Sequence, residues 1–79
     1  MRVWILVEDT SEEIESKIFG VFESRKKALS EMTKRYNDRC NGEDKELIEY
    51  KKIDKEEGVA NIMYSNNDVI LSIHEEVVK

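Results

Sequence analysis

The stretch SRKKALSEMTKRYNDRCNG, residues 24–42, places Ala28, Leu29, Met32, Tyr36 and Cys40 at helical spacing down one face. Ser24 is a good N-cap, because its hydroxyl can accept from the unpaired N–H groups of a first turn. Asn41 and Gly42 supply the stop at the other end. The spacing therefore predicts one helix from about Ser24 to Asn41, about four turns long. Leu29, Met32 and Tyr36 are the side chains that would cover one face of a sheet.

Upstream, Arg2 to Val7 is β-branched and aromatic, with Val3, Ile5 and Val7 on one side of a strand and Trp4 and Leu6 on the other. Lys17 to Glu23 reads as a second strand, with Ile18, Gly20 and Phe22 pointing one way and Phe19 and Val21 the other. Neither strand has a fully polar face, and the two are expected to pair as a hairpin. Asp9 to Glu15 between them reads as an acidic loop, in which Thr10 and Glu13 have capping-box spacing.

Downstream, Glu43 to Glu57 fits neither period cleanly and reads as a loop followed by a charged edge strand. Gly58 marks a turn. Val59 to Tyr64 and Val69 to Val77 flank the polar turn Ser65 to Asp68, which suits a hairpin. In the last strand Val69, Leu71 and Ile73 define the buried side and His74 lies on the other. The expected fold is a single α+β domain over residues 1–79, an antiparallel sheet of four to five strands in the order ββαββ or ββαβββ, with the main helix on one face.

One helix covers one face only. Trp4, Leu6, Phe19 and Val21 cannot all face it, so some of them are expected to form an apolar patch. A second copy packed on that patch, a homodimer, would solve the burial problem. So would Asp9 to Glu15, or the segment around Leu47, Ile48 and Tyr50, folding across it.

A chain of 79 residues has little room for a closed cavity or a buried cofactor, so binding is expected on its surface. Hydrophobic and charged residues each make up 39%, which suits a thin core beneath a charged skin. No stretch approaches a membrane span, and Glu8 and Asp9 stand where a secretory leader would carry small residues, so a cytoplasmic protein is expected. The single cysteine, Cys40, cannot form an internal disulfide, and the single histidine, His74, cannot build an ordinary zinc site. No metal or cofactor is expected.

The net charge of -5 opposes general attraction to duplex nucleic acid or to anionic membranes. Charge is also segregated. Residues 1–24 hold two basic and six acidic side chains, whereas residues 25–40 hold six basic and two acidic ones. Asp9, Glu12, Glu13, Glu15, Glu43 and Asp44 form the candidate acidic surface. Arg25, Lys26 and Lys27 occupy the first helical turn, where the macrodipole already favours anions. They are either paired locally, with Glu23 or the acidic loop, or form an anion-binding site.

Cys40 and His74 are the one conceivable nucleophile and base, but no orienting group or oxyanion site accompanies them. Cys40 reads better as part of the apolar helix face, and His74 as a surface or hydrogen-bonded residue. Asp9, Glu12, Glu13 and Glu15 lack the alternating ligands and central glycine of a calcium loop. The three glycines are isolated, which excludes a phosphate loop or a dinucleotide fingerprint. The chain is not expected to be an enzyme.

Val3, Trp4, Ile5 and Leu6, followed by Gly20, Val21, Phe22, Ser24, Lys27 and Ala28, resemble small uncharacterised proteins of phages and other mobile elements. The resemblance covers roughly the first third of the chain and rests on hydrophobic and turn positions. It implies a hairpin followed by a helix and a mobile-element origin, and it transfers no active site.

The expected role is a non-enzymatic interaction protein with a protein partner, such as a mobile-element inhibitor of a host defence or nucleic-acid-processing complex. Its acidic surface would imitate a phosphate backbone. The alternatives are a binder of a small anionic ligand, such as a nucleotide, at Arg25, Lys26 and Lys27, and a small nucleic-acid-binding regulator using the basic helix face.

Overall fold

The computed structural model describes residues 1–12 and 14–78. The chain forms β1 (Arg2–Thr10), β2 (Lys17–Phe22), α1 (Arg25–Cys40), a 3-10 turn (Lys45–Leu47), β3 (Ile48–Asp54), β4 (Val59–Tyr64) and β5 (Asp68–Val77). The strands make one antiparallel sheet in the order β2-β1-β5-β4-β3, an α+β fold with the helix between the second and third strands. The expected hairpins β1–β2 and β4–β5 are both present, and the charged strand β3 is an edge.

Ser24 caps α1, its hydroxyl accepting from the Lys27 N–H at 3.1 Å. At the other end the Gly42 N–H donates to the Arg39 carbonyl at 3.3 Å. Gly58, at φ +71, closes the β3–β4 turn in a conformation that side chains beyond glycine rarely adopt. The Asp54 carboxylate holds the same turn by accepting from the Glu56 and Glu57 N–H groups, each at 3.1 Å.

The core lies between α1 and one sheet face. Leu6, Met32, Ala60 and Leu71 are buried at its centre, with Phe19, Phe22, Leu29, Ile53 and Ile73 packed around them. Ile62, Tyr64 and Val69 form a second cluster with Cys40 and Ile48, and Tyr36 packs against both.

The placement of the first two strands corrects the expected patch. Leu6 pairs with Gly20, but Val7 pairs with Ile18, so Phe19 is an extra residue in β2. That bulge breaks the two-residue alternation. Phe19 joins Gly20 and Phe22 on the helix side, while Ile18 joins Val21 on the open side. Leu6 is fully buried, and Trp4 shares its face by strand alternation and is half-buried. Of the four patch candidates only Val21 lies on the open face, at 60% exposure, and its apolar neighbours there are Ile5, Val7 and Ile18. Among the described residues nothing covers them: Ile5, Val7, Asp9, Ser16 and Ile18 line a hollow of about 500 Å³. Gly20 is where Phe22 lies back over its own strand; a Cβ at Gly20 would stand 2.7 Å from the Phe22 ring.

Candidate functional site

The topology decides which charges meet. β1, α1 and β4 all finish at one end of the sheet, and β2, β3 and β5 all start there. The β1–β2 loop, the link from helix to β3 and the β4–β5 turn therefore share that end. Hydrogen bonds tie them together. The Ser11 N–H donates to the Asp68 carbonyl at 3.0 Å, and the Ser11 hydroxyl accepts from the Asp68 N–H at 3.0 Å and donates to Asn67 Oδ1 at 2.6 Å. The Ser65 N–H donates to the Leu47 carbonyl at 2.8 Å, and the Tyr64 hydroxyl donates to the Arg39 carbonyl at 3.3 Å.

Asp9, Glu12 and Glu15 thus sit on the β2 side of this end, and Glu43 and Asp44 on the β3 side, with Asp68 between them. All six are exposed. Asp9 accepts a short hydrogen bond from Ser16. Among the described residues Glu12, Glu15, Glu43 and Asp44 make no ion pair. Glu43 and Asp44 border a hollow of about 270 Å³ with Asp38, Arg39 and Tyr64. Glu13, which completes the candidate acidic surface and the expected capping box, lies outside the described residues.

The basic helix start is built differently. The Arg25 guanidinium donates to the Lys55 and Glu56 carbonyls at 2.9 and 2.6 Å, which fastens the β3–β4 turn to the helix. Lys27 pairs with Glu23 at 3.7 Å. Lys26 is exposed beside Ser30, Thr33 and Lys55. Two of the three cations have internal partners, so the three do not converge on one external point.

Cys40 and His74 are separated by the sheet. Cys40 packs against Ile62, Tyr64 and Val69 on the helix side, while His74 pairs in register with Ile5 on the open side and contacts the Ser72 hydroxyl at 3.0 Å. They form no dyad. Among the described residues no group of three or more histidine, cysteine, aspartate or glutamate side chains could hold a metal ion.

Two features were not anticipated from the residues. Glu8 is 3% exposed on the helix side and pairs with Arg39 in close contact. Its signal was its position: Trp4, Leu6 and Glu8 alternate onto the same face, so an acid there needs a cation. The second is Arg35, whose guanidinium lies 3.9 Å from the Phe19 ring centroid and 3.4 Å from Glu31. Only the bulge that turns Phe19 inward makes this contact possible. Burial, and after it the neighbouring Cys40, pushes the Tyr36 phenol up.

No helix among the described residues is long and apolar enough to cross a membrane. No family model matches the chain, and no curated protein and no solved structure matches it either.

Proposed function

We propose that the chain is a non-catalytic interaction protein whose acidic end engages a basic groove on a protein partner. A groove that a nucleic-acid-processing complex offers to phosphate has the matching chemistry. An inhibitor of a host defence complex, carried by a mobile element and acting in the cytoplasm, is the role that fits such a target. The observation that carries this reading is that acidic residues far apart in sequence, Glu12 and Glu15 on one side and Glu43 and Asp44 on the other, are brought to one end of the sheet and make no ion pair among the described residues. Carboxylates held on hairpin turns and a helix exit act as fixed charges and steer a cationic surface into register.

The small-anion reading is weaker because Arg25 and Lys27 are occupied within the chain. The regulator reading would need the basic helix face, where Arg35 and Arg39 are paired with Glu31 and Glu8.

The test is affinity capture from the encoding organism with the wild-type protein, a Glu12→Gln, Glu15→Gln, Glu43→Gln variant and a Lys26→Glu, Lys27→Glu variant. The reading expects a basic partner that the first variant loses and the second retains. A captured protein lost with the lysine variant instead would favour the anion site. A tight, salt-sensitive shift of DNA or RNA by the protein alone would overturn the reading.

A further inference from the structure

We propose that β2 is a pairing edge, at which a second copy of this chain adds its own β2 antiparallel across a two-fold axis and joins two five-stranded sheets into one. This inference does not rest on the acidic-end reading, although the pairing draws the β1–β2 loop of that end toward the second copy and leaves only Glu43 and Asp44 clear of it.

The two edges of the sheet are unlike. β3 carries Glu49, Lys51 and Lys52, charges that discourage another strand from pairing. β2 is the other terminal strand, and its Ile18–Phe22 run, Ile-Phe-Gly-Val-Phe, holds no charge and no proline. Its most exposed side chains are apolar: Ile18 at 67% and Val21 at 60%. An uncharged, solvent-facing edge of this kind is a template for a further strand.

The bulge makes a second copy the fitting occupant. An ordinary strand alternates faces, but β2 runs helix side at Lys17, open side at Ile18, helix side at Phe19 and Gly20, open side at Val21 and helix side at Phe22. That order reads the same in both directions. When two copies pair antiparallel about a point between Phe19 and Gly20, Ile18 therefore opposes Val21 of the second copy, both on the open face. Phe19 opposes Gly20 of the second copy on the helix face, where that copy's own Phe22 ring lies over the glycine. Shifting the register by one residue would set open-face positions against helix-face positions.

Charge selects the same arrangement. Antiparallel pairing sets the acidic β1–β2 loop of one copy beside the helix start of the other, where Lys26 is exposed. Glu43 and Asp44, on the β3 side, stay away from the contact. A face-to-face dimer would instead bring together open faces that carry Asp9, Asp54, Asp68 and Glu76 against the single lysine Lys52. A six-residue edge is about 20 Å long, so the contact is at the small end of specific interfaces.

The test is register-specific cross-linking in a Cys40→Ser background. Ile18→Cys and Val21→Cys proteins are oxidised separately and as a mixture, and the wild-type chain is followed by sedimentation from about 1 µM to about 1 mM. The expected result is a covalent dimer in the mixture and little in either protein alone, because equal positions lie several residues apart across the axis. Val21→Lys should stay monomeric over the whole range, with a melting temperature equal to that of the wild type at about 1 µM and without the rise at higher concentration that the wild-type dimer shows. A wild-type chain that stays monomeric over the whole range, a mixture that cross-links no better than its components, or a dimer indifferent to Val21→Lys would each overturn the proposal.

Discussion

The two ends of the sheet both carry many charges, yet they use them in opposite ways. At the end where β2 meets the helix, Arg2 pairs with Glu75 at 3.0 Å, Arg25 fastens the β3–β4 turn and Lys27 pairs with Glu23. Cations there are spent on the fold. At the far end Glu8 has a structural partner in Arg39, whereas Glu12, Glu15, Glu43 and Asp44 stand without ion pairs among the described residues. Charges at the two ends are therefore not equally available, and availability is what matters to a partner. Net charge conceals this, because a paired and an unpaired carboxylate count alike.

The core between the ends sets the scale for breaking that comparison. Leu71→Ala removes a side chain 1% exposed and should cost about 2 to 5 kcal/mol in chemical denaturation. Next comes the one acid at the far end with a structural role. Arg39→Met leaves the buried Glu8 carboxylate unpaired and should cost about 2 kcal/mol, less than a fully buried pair because Arg39 is partly exposed. Adding Glu8→Leu to that variant should recover most of the loss, since two apolar side chains need no compensation.

A smaller contrast separates the ends directly. Arg25→Ala should lower stability by about 1 kcal/mol through its lost bonds to the Lys55 and Glu56 carbonyls. Neutralising Glu12, Glu15 and Glu43 together should change it by no more than about 0.5 kcal/mol. Equal losses in the two variants would mean that the acidic end is also structural.

Smallest is a pH effect near the end of the helix. Because burial raises the Tyr36 phenol above its ordinary value, the folded state holds that proton more tightly than the unfolded chain. Its stabilisation is complete below about pH 10 and is lost as pH rises through the folded value. Melting temperature should therefore fall more steeply above about pH 10 in the wild type than in Tyr36→Phe. Parallel curves would show that the phenol is not perturbed.

The helix was legible in the sequence because its stripe, its Ser24 cap and its Asn41–Gly42 stop all agree. The strands were legible by alternation, including the buried side Val69, Leu71 and Ile73. Alternation failed beside Glu49 in β3 and at Phe19, where one extra residue reversed the faces of half of β2 and misplaced the apolar patch. A bulge has no compositional mark in Lys17–Phe22, so periodicity alone could not locate it. The acidic residues were identifiable singly, but their shared end is a consequence of strand order, which joins the β1–β2 loop to the β4–β5 turn through Ser11. Arg25 reads from the sequence as paired with Glu23 or the acidic loop, or as part of an anion site; its actual acceptors, the Lys55 and Glu56 carbonyls, are backbone atoms of a distant turn that composition does not mark.

The most direct test of the acidic end is the dissociation constant of the captured complex measured against ionic strength. If unpaired carboxylates at one end carry recognition, affinity should fall steeply as salt rises, and the slope should flatten when Glu12, Glu15 and Glu43 become glutamine. A complex whose affinity holds through high salt, with or without those carboxylates, would contradict the account.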